Sequence, residues 1–286
     1  MYVRRLMLVT LVLFSSTCCR SVVAQPTTTV LDEPVKVSRS AEKEIFPKSW
    51  RTSRINANAD PIDSEEVERT KQILNSAFNK YPKKVLSANL KTVFILRRLR
   101  FFGVSASGTN STDCVYMANR GVEAGFDDAW VEGVFHAEFS SILLRNFRGQ
   151  FDQEVWQKIN KAGFQYGGNG VEAIRNGAAS KNFDPALYEQ GFLYEYAQSS
   201  LENDFNSIAQ QLFTGNPEFW KIVKAHSAIS QKVDLAIGFY QKIDPTFDRE
   251  YFESLAKTVG NEKPSKGAED KSGRNANSVE SAGKAK

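Results

Sequence analysis

Between Trp130 and Leu144 the chain reads Trp-Val-Glu-Gly-Val-Phe-His-Ala-Glu-Phe-Ser-Ser-Ile-Leu-Leu, and one acidic residue in it stands out. Wound at about 100° per residue from Val131, Val134 falls near 300°, Phe135 near 40° and Ile142 near 20°, which defines a buried stripe. Glu138 falls near 340°, in the middle of that stripe. A carboxylate there needs a partner, a metal or a raised pKa, because burying the charge alone is expensive. It is either a structural glutamate tied to a backbone amine or an arginine, or a functional carboxylate.

The elements that must position this helix follow from periodicity. Ser64-Glu65-Glu66 before Val67, Ile73, Leu74 and Phe78 predicts an acidic-capped helix that ends near Tyr81-Pro82. Thr92–Leu96 is a β-branched apolar run and Cys114–Ala118 a second, so both are expected strands, with a turn over Gly108–Thr112 between them. From Asp128 the period is helical, with helices expected at 129–146, 152–161, 184–198, 199–214, 217–243 and 246–258. The fold class is therefore α+β, predominantly α: a small sheet precedes the Glu138 helix and a helical remainder follows.

Phe135-His-Ala-Glu-Phe-Ser-Ser-Ile-Leu-Leu-Arg-Asn146 resembles the active-site helix of a family of exported bacterial zinc metallopeptidases, distantly similar to the catalytic domain of anthrax lethal factor. The similarity takes in Thr92–Leu96, Gly108–Ala118, Gly191–Ala197 and Leu201–Phe205, and covers roughly residues 90–250. It implies a zincin-like domain with a His-Glu-x-x-His helix and an acidic third ligand on a later helix. On that alignment Glu138 is the general base, and Glu202, or Asp204 in its place, is the acidic ligand. The histidine positions hold Ala137 and Ser141, which share a face near 240° and 280° but cannot bind zinc. His136 is the one nearby substitute, yet it falls near 140°, about 160° from Glu138, unless a π-bulge rotates it.

Three functions follow from that departure. The first is a degenerate, non-classical member whose cleft binds a peptide or an envelope polymer. The second is an active metallohydrolase with an atypical zinc site built from His136 and Glu202, with Glu138 as general base. The third is a metal-free glycan hydrolase that uses Glu138 and Glu202 as its two carboxylates. Glu202, in the first turn after Ser199-Ser200, also has an ordinary role as a dipole-favoured acid, and Glu195 is a further candidate to face the cleft.

Other motifs point to structure. Gly167-Gly168-Asn169-Gly170 is expected to be a positive-φ loop, since no strand precedes it and no Gly-Lys-Ser/Thr follows. Gly103–Gly108 misses the nucleophile-elbow spacing by one place. Asn110-Ser111-Thr112 is a glycosylation sequon, Cys114 is expected to be a small buried hydrophobe, and His226 a surface residue. Phe205, Phe213, Phe219 and Phe239 are expected in the core.

With 286 residues the chain can bury a real core, and its two histidines exclude any site that needs three. Arg4 and Arg5 precede the apolar run Leu6–Phe14, and Val22-Val23-Ala24 has the shape of a cleavage site, so residues 1–24 read as a secretory signal peptide. An exported protein, periplasmic or secreted, is expected. The competing reading, lipid anchoring through Cys18 or Cys19, is a poor match to a lipobox in Ser15-Ser16-Thr17. Cleavage leaves 34 basic against 33 acidic residues, a formal +1 that gives no support to a nucleic-acid partner. It also leaves Cys114 alone, without an internal disulfide and without a membrane-spanning segment. Residues 25–61 read as a polar linker or arm onto which Phe46 and Trp50 could dock, 62–258 as the folded domain and 259–286 as a disordered tail.

Overall fold

The computed structural model describes residues 28–261. The expected signal peptide, Cys18, Cys19 and nearly all of the expected tail lie outside them. The class is α+β with helix predominant, and a mixed seven-stranded sheet lies at its N-terminal end.

Residues expected to form an arm instead supply three strands: β1 (Thr29–Leu31), β2 (Lys36–Ser38) and β3 (Asn58–Pro61). Each is too short to display an alternating pattern, so composition alone reads as linker. Their backbone is claimed by tertiary pairing, and Val35, Val37, Phe46 and Ala57 are buried with it. Phe46 stacks on Tyr116 at 5.1 Å between ring centroids, Trp50 leans on the same ring at 5.8 Å, and the Tyr116 hydroxyl donates to Ile45 O at 2.7 Å.

Next come α1 (Ser64–Asn79), with Glu65 and Glu66 in its first turn, and α2 (Lys83–Asn89) after Pro82. The expected strand Thr92–Leu96 is the first half of β4 (Thr92–Phe101). That half lies parallel to β2 on one side and parallel to β7 (Cys114–Ala118) on the other. The second half pairs antiparallel with β3 and with β5 (Val104–Ala106). The expected turn at 108–112 opens as β6 (Gly108–Asn110), antiparallel to β7 and the last strand of the order β1-β2-β4-β7-β6. Cys114 lies half-buried at the start of β7, where burial and Asp113 push its thiol up to about 11.

α3 (Asp128–Asn146) opens on Asp127, whose side chain accepts from Trp130 N at 2.8 Å. It packs against β6, β7, α1 and α7 (Leu201–Thr214), so its buried surface is far wider than one stripe. Val131, Val134, Phe135, Phe139, Ile142 and Leu143 are all buried.

Beyond it lie α4 (Gln153–Ile159), α5 (Gly170–Arg175) and α6 (Pro185–Tyr188). The Gly167–Gly170 stretch is a loop, with Gly168 at φ 111° and Asn169 capping α5. The helix expected over 184–198 stops at α6 because Gly191 turns to φ 89°, and a 3₁₀ turn, Glu195–Ser199, leads into α7. The single helix expected over 217–243 is two, α8 (Pro217–Ala225) and α9 (Ser227–Ile243), bent apart at the extended backbone of His226. His226 Nδ1 bonds Glu189 at that corner, and its ring lies against Tyr188. α10 (Arg249–Asn261) closes the described chain. Phe205, Phe213, Phe219 and Phe239 are core residues as expected.

Candidate functional site

Glu138 stands where α3 passes under β6. The approach is so close that a Cβ on Gly108 would fall 2.7 Å from Val134 Cγ1 and 2.8 Å from Glu138 Oε1, so this strand position requires glycine. From the same strand Asn110 Nδ2 donates to Glu138 Oε2 at 2.8 Å. Arg145 holds Asn110 in turn, donating to Asn110 Oδ1 at 2.8 Å and to Ser111 O at 2.6 Å. Seven residues separate Arg145 from Glu138, which puts both on one face of α3. The Asn110 amide is thus committed to Glu138 and Arg145, which leaves the sequon without a free side chain.

Across from the strand lie Lys181, on the irregular segment between α5 and α6, and Tyr196, in the 3₁₀ turn before α7. Lys181 Nζ sits 5.0 Å from the Tyr196 ring centroid and 5.4 Å from that of Trp130. Burial pushes the Glu138 carboxyl up to about 7; the Asn110 bond and the charges of Lys181 and Arg145 oppose this, and the charge of Glu202 adds to it. Burial also lowers Lys181, against the pull of Glu138. The Tyr196 phenol is pushed up to about 12 by burial and by the charge of Glu138.

The two positions where the resemblance implies histidines offer a metal little. Ala137 has no donor atom, and Ser141 Oγ accepts from Asn206 Nδ2 at 2.7 Å. Glu202 lies exposed in the first turn of α7, one turn before Asn206, and its charge reaches Glu138. His136 points elsewhere. Its Nδ1 bonds the Tyr81 hydroxyl at 2.8 Å, its Nε2 meets Glu132 Oε1 at 3.4 Å and its ring stacks on Phe213 at 5.2 Å. α3 stays regular through this region, so no π-bulge turns His136 toward Glu138. Burial holds His136 below the ordinary histidine range.

Asp204 is likewise committed. Lys232 Nζ donates to it at 2.6 Å, the Tyr166 hydroxyl at 2.6 Å and Trp156 Nε1 at 2.8 Å, all buried or half-buried in the helical layer. Glu195 is exposed and accepts from Ser180 N at 3.4 Å. Among the described residues, no group of three or more His, Cys, Asp or Glu side chains is placed to hold a metal ion. The residues beside Glu138 therefore do not fit a zinc centre of the implied kind.

The structure thus joins Glu138 to the charge of Glu202 and separates both from His136 and Asp204. Trp130, Asn110, Arg145, Lys181 and Tyr196 complete the site. Of these, only Arg145 carried a sequence signal, its shared face with Glu138; the loop around Lys181 has no pattern that marks it. Set beside known proteins, the chain matches no family model, no curated protein and no solved structure.

Proposed function

We propose that this chain is an exported, zincin-like protein at the edge of the zinc metallopeptidases, and that its cleft binds an extended peptide without zinc hydrolysis. The observation that carries this reading is the free edge of β6 beside Glu138. Ala118 N–H donates to Ser107 O and Ser111 N–H to Cys114 O, both at 2.8 Å, which fixes the pairing alternation of the hairpin. The backbone groups of Gly108 and Asn110 therefore turn outward, to an edge that no strand covers among the described residues. A peptide added there gains main-chain hydrogen bonds, and its side chains pass Glu138 and Lys181. Glu138 then acts as a hydrogen-bonding or charge-pairing anchor, held in position by Asn110 and Arg145.

The test is hydrogen exchange on the full chain mixed with a tryptic digest of casein, with zinc measured by elemental analysis on the same sample. Slowed exchange at the Gly108 and Asn110 amides, intact peptides and far less than one zinc per chain are expected. About one zinc per chain with chelator-sensitive cleavage would overturn the proposal.

A second reading, metal-free acid–base hydrolysis of a glycan, is favoured by one observation: a carboxyl lifted to about 7, in part by the charge of a second carboxylate, Glu202. It expects glycan cleavage that survives chelators and disappears in both Glu138→Gln and Glu202→Gln.

A further inference from the structure

Lys181 occupies a set of groups whose chemistry suits a different cation better. Tyr196 N–H donates to Ser180 O at 3.0 Å, which fixes the backbone beside the Tyr196 ring and brings Lys181 over it. The ammonium is flanked by that ring at 5.0 Å and the Trp130 indole at 5.4 Å, and Glu138 supplies the opposing charge. Two aromatic faces and a carboxylate around one cation compose an aromatic cage. Among the described residues, Lys181 Nζ makes no hydrogen bond and no ion pair within 4.0 Å. It therefore meets π faces and a charge at a distance, but no acceptor for its three N–H donors.

A primary ammonium is poorly served by such a cage, because its donors go unmatched once water is displaced. A cation whose hydrogens are replaced by methyl groups has no donors to satisfy and presents its charge through apolar surface to the rings. We propose that Trp130, Tyr196 and Glu138 form a recognition pocket for a quaternary ammonium group, with Lys181 as the intramolecular occupant that the ligand displaces. The pocket adjoins the β6 cleft and would give its ligand a chemical identity; it rests on the cleft reading only in that shared location.

The test is isothermal titration of the full chain with choline, which involves neither peptide nor strand edge and so can fail independently of peptide binding. Lys181→Ala empties the cage and should bind choline at least about tenfold more tightly than the wild type, the size of a desolvated cation–π contact. Adding Trp130→Ala in that background should abolish the gain, and 3,3-dimethylbutanol, the uncharged isostere of choline, should not bind. If Lys181→Ala does not fold, Lys181→Ser likewise vacates the space over the two rings. Phosphocholine and N-acetyl-trimethyl-lysine amide carry the same head group, and the tighter of the two tells a lipid or glycopolymer source from a modified protein. Absence of saturable binding of any of these to the folded Lys181 variants, or equal binding of the neutral isostere, overturns the proposal.

Discussion

At the Glu138 carboxyl, burial outweighs its hydrogen bond and its two basic neighbours, so the folded chain holds that proton more tightly than the unfolded chain does. A folded pKa of about 7 against an ordinary 4.5 means stability that is fully present below pH 4.5 and lost as pH rises through 7. The size is about 3–4 kcal/mol at most, taken at about 1.4 kcal/mol per unit. Glu138→Gln keeps the shape and removes the charge. Urea melts at pH 5 and pH 8 should therefore show a smaller loss of stability for the variant than for the wild type. On the far side of the same helix, Tyr81→Phe leaves His136 Nδ1 without its 2.8 Å bond and should cost about 1–3 kcal/mol in the same assay. Both positions were legible in part: the wheel placed Glu138 among buried residues and turned His136 away from it. What the wheel could not supply was Lys181 and Asn110, which reach the site from a loop and an edge strand and share no period with the helix.

For elements, the most exacting contact is β6 on α3. Gly108→Ala would drive a methyl to 2.7 Å from Val134 and 2.8 Å from Glu138, so either the strand lifts or the helix shifts. A destabilisation of about 1–3 kcal/mol is expected from such overpacking, and thermal denaturation measures it. The expected turn over 108–112 and the observed strand differ for a physical reason. Gly-Thr-Asn has turn chemistry, and only pairing to β7 and the demands of α3 make it extended. The same logic explains the helices. α7 was readable because Ser200 caps it and Gly215, at φ 67°, stops it, whereas the break at His226 leaves the amphipathic period intact on both sides.

For the whole molecule, the domain boundary expected at residue 62 falls inside the sheet. A chain that begins at residue 62 lacks β1, β2 and β3 and with them Val37, Phe46 and Ala57, each at most 1% exposed. It should fail to show a cooperative thermal transition, whereas a chain that begins at residue 25 should show one. The polar composition of 25–61 concealed this because three-residue strands depend on distant partners rather than on their own hydrophobicity. The buried Asp204–Lys232 pair ties the helical layer together in the same long-range way. Lys232→Met alone should cost about 3–5 kcal/mol by leaving Asp204 uncompensated, and Asp204→Asn in that background should recover part of it.

β4 is flanked by four strands, and the order in which they are made has a consequence. β2 leaves the ribosome more than fifty residues ahead of the strand it pairs with, and β7 follows only after β4 and the β5–β6 stretch are complete. At about 5–20 residues per second, that is a wait of several seconds during which β2 has only its antiparallel pairing with β1. The helices α1 and α2 can form locally in the interval, but the parallel β2-β4-β7 core cannot be completed until the chain has passed residue 118. Early synthesis thus presents an unclosed sheet edge, and any factor that accompanies this nascent chain has its clearest target in residues 29–61.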